Sequence, residues 1–238
     1  MIIIPARVAS SRFPNKILAD IGGVPMVVAT AKAVENIDKV AIATDSQDVI
    51  DIVKGYGFEA IMTSSEHKSG TDRINEASQK LNLGEREIIL NVQADEPFIE
   101  VDVVRAVYDR VKLAQKNGED IMMVSCYKEI EPRFADDPNH VKVIMDNKED
   151  AIYFSRSKIP YNREEHYNYF GHLGIYGFTK KSLQEFCTLG RSPLEDIEKL
   201  EQLRALYYSK RVAMVKVESE SFGIDTKEDL KLALDRFL

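Results

Sequence analysis

Residues 88–97 read Ile88-Ile89-Leu90-Asn91-Val92-Gln93-Ala94-Asp95-Glu96-Pro97. Ile88 to Val92 is apolar but for Asn91 and does not alternate, as expected of a central strand covered on both faces. The chain then turns polar and places two carboxylates at the strand's end. Working outward, Ile2 to Ile4 is a first strand that stops at Pro5, which fixes φ and donates no hydrogen bond. Pro25 opens a helix with Val27, Thr30, Ala31, Val34 and Ile37 at helical spacing. Val40 to Thr44 is a second strand, and Asp45 or Ser46 caps a helix carrying Val49, Ile52 and Val53. Phe58 to Met62 reads as a third strand and Thr71 to Leu81 as a third helix. Strand and helix in this rhythm imply parallel pairing with right-handed crossovers. The expected fold is therefore α/β, a doubly wound, mostly parallel sheet over about residues 1–128.

From about 129 to 180 the pattern changes. Val141 to Met145, Ala151 to Ser155 and Leu173 to Phe178 are short strands between turn-rich, His- and Tyr-rich segments, which suggests a small antiparallel extension. A helix from Pro193 to Tyr208, a strand from Val212 to Val217 and a helix from Lys227 to Phe237 complete the chain. No repeat, low-complexity tract or flexible linker divides it, so a single domain with an appendage is expected.

The 238 residues are 44% hydrophobic and carry a net charge of −7. An acidic chain is a poor match for a polyanion, so no nucleic-acid partner is expected. Cys126 and Cys187 lie far apart without metal-ligand spacing and read as reduced core cysteines, consistent with a cytoplasmic location. No run approaches the roughly 18 apolar residues of a membrane span, and the N-terminal apolar run is too short for a signal peptide.

Ligands bind such sheets outside the carboxyl ends of the strands. Three polar segments follow strands here: Pro5 to Lys16, Gln93 to Pro97 and Gly223 to Thr226. The first brings Arg7, Arg12 and Lys16 together among small residues, a pattern suited to a triphosphate. It is neither a Walker A loop nor a dinucleotide fingerprint. The alternative is a solvated basic loop. Asp95 suits a hard cation such as Mg2+, which takes one or two carboxylates plus phosphate oxygens. Alternatively Asp95 or Glu96 sits at a helix N-terminus, and Asp225 is a helix cap. Arg73, in Ser69-Gly70-Thr71-Asp72-Arg73, is a further phosphate contact or a surface charge, and His67 an exposed loop histidine. Arg156, beside Ile152-Tyr153-Phe154, is suited to a substrate carboxylate. Helical spacing puts Glu198, Glu201 and Gln202 near one face, with Glu195 and Glu198 read as solvated. No Ser/His/Asp or Cys/His triad stands out.

Taken in order, these segments resemble the sugar cytidylyltransferases, in the branch that activates 3-deoxy-manno-octulosonate (Kdo). The resemblance rests on Ile4-Pro5-Ala6-Arg7 with Arg12, Pro14 and Lys16, on Ala43-Thr44-Asp45, on Ser69 to Arg73 and on Asn91 to Pro97. It continues through Asn139 to Val143, Tyr153 to Arg156, His172 to Gly177, Leu200 to Arg204 and Gly223 to Leu230, essentially end to end. It implies a nucleotide-binding part at about 1–128 and 209–238, and a sugar-binding and dimerisation element at about 129–208. It also implies CTP contacts at Ala6, Arg7, Ser11, Lys16, Ser69, Gly70 and Arg73. Asp95 and Asp225 match the Mg2+ carboxylates, and Arg7, Lys16, Asp95 and Asp225 would carry catalysis. Gln93, Arg156, His172, Tyr176, Glu201 and Gln202 match the sugar pocket. The implied reaction is CTP plus Kdo giving CMP-Kdo and pyrophosphate, for lipopolysaccharide biosynthesis in Gram-negative bacteria, by a cytoplasmic homodimer without nucleic-acid or membrane partners. Alternatives are another acidic sugar, such as a nonulosonate or amino-Kdo, and a non-catalytic nucleotide-binding module. The chain departs from the family at Asn15 and Ala94, where Gly is usual, and at Lys227, where Pro is common.

Overall fold

The computed structural model describes residues 1–8, 13–164 and 168–238. In chain order the first half comprises β1 (Ile2–Ala6), β2 (Asp20–Ile21), β3 (Val24–Pro25), α1 (Met26–Val34), β4 (Val40–Thr44), α2 (Gln47–Gly55), β5 (Glu59–Met62), α3 (Gly70–Lys80), β6 (Ile88–Asn91) and α4 (Val101–Asn117). The second half comprises β7 (Met123–Ile130), α5 (Pro132–Ala135), β8 (Lys142–Met145), β9 (Ala151–Ser155), β10 (Tyr169–Thr179), α6 (Lys180–Thr188), α7 (Pro193–Glu198), α8 (Leu203–Tyr207), β11 (Val212–Lys216) and α9 (Lys227–Phe237). No α4 or β7 was read from the sequence, although Val103, Val104, Val107, Val111 and Ala114, all buried, keep helical spacing.

The main sheet runs β11-β7-β10-β6-β1-β4-β5, with β8 and β9 attached at β10. β6, β1, β4 and β5 are parallel, as expected, and β11 is parallel to β7. β10 runs antiparallel to both β6 and β7, so β7 and β11 point the same way as β1. The carboxyl ends of β1, β4, β5, β6 and β11 therefore open on one edge of the sheet. Alternate residues of β1 serve two layers. Ile2 and Ile4 pack with Val27 and Ala31 of α1 and Val103 and Val107 of α4. Ile3 packs with Ile74 and Ala77 of α3 and Leu183 and Phe186 of α6. Helices on both sides are why the strand shows no polar alternation.

Two expectations are corrected. The strand read as Leu173 to Phe178 belongs not to a peripheral extension alone but to the middle of the sheet. β10 pairs with β7 from Tyr169 to Leu173 and with β6 from Tyr176 to Thr179, with an irregularity between Leu173 and Gly177. Gly177 permits this insertion: a Cβ there would lie 2.6 Å from Val111 Cγ2 and 2.9 Å from Val107 Cγ1, and valine side chains are stiff at χ1. The helix expected from Pro193 to Tyr208 is two helices. Ser192 caps α7 in a capping box with Glu195, and Lys199 at φ 54°, ψ 45° ends it. Left-handed backbone cannot continue an α-helix.

The break turns the acidic residues inward. Glu195, expected to be solvated, is 3% exposed and accepts from Arg204 Nε at 2.9 Å and Nη2 at 2.6 Å. The guanidinium also lies 4.7 Å from the Phe186 ring centroid. Glu198 accepts from Ser155 Oγ and from the Arg156 amide. Cys126 is buried and Cys187 half-buried, and both are free thiols. Among the described residues no helix is long and apolar enough to cross a membrane. Arg204→Ala would strand the Glu195 carboxylate, so a loss of about 3–5 kcal/mol is expected in urea unfolding. A loss below about 1 kcal/mol would mean that the pair is solvated after all.

Candidate active site

The loop after β1 returns to the sheet edge at Asn15, whose backbone is left-handed (φ 56°, ψ 26°), and Lys16 opens a short 3-10 turn through Leu18. This explains the family departure: Asn is among the non-glycine residues that tolerate this conformation most readily. Ile17 is buried and anchors the turn. Ser11, expected to contact CTP, and Arg12 lie outside the described residues.

After β6 the chain turns at once, with the Glu96 amide donating to the Gln93 carbonyl at 3.2 Å. Thr30 Oγ1 of α1 donates to the Ala94 carbonyl at 3.0 Å. α4 begins only at Val101, with Glu100 before it, so Asp95 is not at a helix N-terminus. Nor does Asp225 cap α9. Thr226 does, in a capping box with Asp229, and the Asp225 amide donates to Asp229 Oδ2. Lys227, where the family often has Pro, is the first residue of α9, the position that accepts proline best. The two carboxylate loops are joined directly, the Ile224 amide donating to the Asp95 carbonyl at 2.9 Å. Lys128 of β7 holds the segment leading to Asp225, with Nζ donating to the Ser219 carbonyl at 2.9 Å.

Lys16 Nζ lies 2.6 Å from Asp95 Oδ2 and 2.9 Å from Asp225 Oδ1. Burial opposes the ammonium charge, but the two carboxylates outweigh it and hold its pKa above the ordinary value. Next to Asp95, Glu96 is pushed up to about 8 by burial and then by the Asp95 charge, and so is neutral at pH 7. Among the described residues no group of three or more His, Cys, Asp or Glu side chains could hold a metal. The protein thus offers a cation two carboxylates, and that pair already converges on a positive charge. This donor set fits Mg2+, which needs few protein ligands when phosphate oxygens supply others.

These groups line a cleft of about 300 Å³. Arg7, Lys16, Ser69, Gly70 and Arg73, five of the residues expected to bind CTP, are on its wall with Gln93, Asp95 and Asp225. Ala6 is fully buried behind it. Gly70 is there because a Cβ would lie 3.1 Å from Pro5 Cγ. Arg73, 3% exposed, donates to Thr63 Oγ1 at 2.6 Å and to Asp45 Oδ2 at 2.8 Å, so it ties the ends of β4 and β5 to α3. His67 and Lys68 also line the cleft. The sequence reading named His67 only as an exposed loop histidine, which is corrected here, and did not name Lys68, although both directly precede Ser69. His67 is half-buried, with Nε2 2.5 Å from Glu76 Oε2.

Of the residues expected to bind sugar, only Gln93 is on the cleft wall. His172, Tyr176, Glu201 and Gln202 belong to hydrogen-bonded chains behind it. Gln93 Nε2 donates to Asn91 Oδ1 at 3.3 Å and to the Gly174 carbonyl of β10 at 3.4 Å. Asn91 reaches Thr71 Oγ1, which donates to Glu201 Oε1 at 2.6 Å. Glu201 Oε2 is buried without a partner among the described residues, and burial raises the pKa of this carboxyl. In the second chain Tyr176 Oη donates to Gln202 Oε1 at 3.0 Å, and Gln202 Nε2 faces His172 Nδ1 at 3.4 Å. His172 Nε2 lies 2.8 Å from Ser125 Oγ, which reaches the Ile175 carbonyl at 2.7 Å. The amide donor assigns the acceptor role to Nδ1 and the proton to Nε2. Burial lowers the His172 pKa to about 3, so the ring is neutral at working pH. Arg156 stands apart from the cleft, its Nε donating to the Glu198 carbonyl and its Nη1 to the Pro138 carbonyl.

Residues 1–212 match the cytidylyltransferase family model. A 3-deoxy-manno-octulosonate cytidylyltransferase from a Nitratiruptor species is 56% identical over 97% of both chains. The enzyme of that name from Wolinella succinogenes is 49% identical over 100% of this chain and 99% of its own. The solved structure of a CMP:2-keto-3-deoxy-manno-octonic acid synthetase complexed with CTP superposes with a TM-score of 0.88 at 36% identity, covering 98% of this chain and 96% of that one. The chain therefore belongs to the cytidylyltransferase family, among the 3-deoxy-manno-octulosonate cytidylyltransferases.

Proposed function

We propose that the protein transfers CMP from CTP to the anomeric hydroxyl of Kdo, releasing pyrophosphate, as a step toward lipopolysaccharide. The convergence of Asp95 and Asp225 on one cation, beside the cationic loop after β1, carries this reading. Arg7, exposed on the cleft wall, and Lys16 bind the triphosphate and offset the charge that builds on departing pyrophosphate. Ser69 and Gly70 bring the start of α3 to the nucleotide. Asp95 and Asp225 hold Mg2+, which when bound neutralises charge at the transferred phosphoryl group and favours the ionised hydroxyl. No protein general base is assigned. The sugar lies against Gln93, with His172, Tyr176, Glu201 and Gln202 behind it; Tyr176, Gln202 and His172 are hydrogen-bonded in sequence, Gln93 is fixed by the Gly174 carbonyl and Glu201 by Thr71. The sugar carboxylate is assigned to Arg156 on the family resemblance; its Nε and Nη1 already donate to the carbonyls of Glu198 and Pro138. The enzyme works in the cytoplasm as a homodimer.

Pyrophosphate release across a grid of nucleotides and acidic sugars tests the assignment. CTP with Kdo is expected to exceed every other pair, and a preference for a nonulosonate or amino-Kdo would move the chain to another sugar. Asp95→Asn and Asp225→Asn are each expected to lower kcat by at least about 100-fold with the far-UV spectrum unchanged. Near-normal turnover in either variant, with Mg2+ saturating, would remove that carboxylate from the metal. Arg156→Ala is expected to raise KM for Kdo steeply, by about 2–5 kcal/mol of lost binding, and His172→Ala to raise it less. KM for CTP should hardly move in either. The reverse pattern would place the sugar pocket on the wrong segment.

A further inference from the structure

The position of the Lys16 ammonium has a consequence for the order in which ligands enter. Lys16 Nζ lies against Asp95 Oδ2 and Asp225 Oδ1, oxygens of the two carboxylates that the proposed function assigns to the cation. The Lys16 side chain is 11% exposed, against 27% for Asp95 and 47% for Asp225. The ammonium is thus the inner member of the cluster and the carboxylates its rim. Its backbone is pinned by the left-handed Asn15 and the buried Ile17, but the side chain is a flexible four-carbon stem bearing a point charge. A divalent ion cannot enter beside an ammonium bound to both of its ligands without strong like-charge repulsion. Release of the ammonium requires another anion within reach of the stem, and the cleft it lines is where a triphosphate would lie.

We propose that Lys16 is a built-in counter-cation: without nucleotide it occupies the divalent-cation position between Asp95 and Asp225, and a triphosphate draws it off and opens that position. This rests on the reading of those carboxylates as metal ligands. Nucleotide and cation loading are then coupled, and by linkage each strengthens the other by the same factor. A residue that only bound phosphate would leave metal affinity in the nucleotide-free protein untouched when removed. A competing cation predicts the opposite, a gain.

The test is Mn2+ binding to nucleotide-free protein, read from the electron paramagnetic resonance signal of unbound Mn2+. Lys16→Met and Lys16→Gln, a second neutral variant in case the first misfolds, are expected to bind Mn2+ at least about tenfold more tightly than the wild type, within the usual range of coupling between sites. Lys16→Arg, which keeps the charge, should remain as weak as the wild type. Asp95→Asn introduced with Lys16→Gln should abolish the gain. Equal affinities in the wild type and both neutral variants, with binding still lost in Asp95→Asn, would overturn the exchange and leave the metal reading standing. Mn2+ binding indifferent to Asp95→Asn and Asp225→Asn would overturn both.

Discussion

Strand β1 is buried on both faces, by α1 and α4 on one side and α3 and α6 on the other, and Ile2, Ile3 and Ile4 have no exposed surface. A strand covered in this way can display polar groups only where it ends. Its neighbours run parallel to it, so their ends share one edge. Everything chemical in the protein follows from that. Lys16, Asp95, Arg73 and Asp225 come from separated parts of the chain, and they meet because the segments that follow β1, β5, β6 and β11 all leave the sheet at the same edge.

The antiparallel β10 is the second constraint. Its entry between β6 and β7 brings Tyr176 opposite Asn91 and His172 opposite Tyr127. One strand thus borders both the cleft, through Gln93 and Gly174, and the buried polar chain of His172, Ser125 and Gln202. Buried polar networks are stable when every member is satisfied. The His172 chain meets that condition with a neutral ring. The chain through Thr71 does not, because Glu201 Oε2 is left without a partner among the described residues. An unmet buried acceptor or donor is costly to the folded protein.

Charge is arranged in layers by exposure. Arg204 and Glu195, deep under α6, pair with each other and hold the two short helices α7 and α8 together. Lys142, fully buried, spends its ammonium on the carbonyls of Asp137 and Arg156 and so joins the loop before β8 to the end of β9. Lys16 is instead held by two carboxylates on the cleft wall. The first two arrangements support the scaffold, and the third faces the cleft.

Local sequence determined β1, β4, β5 and β6, a cap at Asp45 or Ser46, the cationic loop after β1 and the carboxylates after β6, because hydrophobic period and capping chemistry act over a few residues. The ordered motifs added Asp225 and the sugar-side residues, which no single spacing identifies. Tertiary structure alone decided the rest. Gly223-Ile224-Asp225-Thr226 offers more than one candidate cap, and only the structure shows that Thr226 caps α9 while Asp225 faces Lys16. Glu195 reads as a surface acid until the break at Lys199 turns it toward Arg204. The register that sets β10 between β6 and β7 depends on valines of α4 close over Gly177, more than sixty residues away along the chain. Such contacts leave no periodic trace, since they join residues that only the packed sheet makes neighbours.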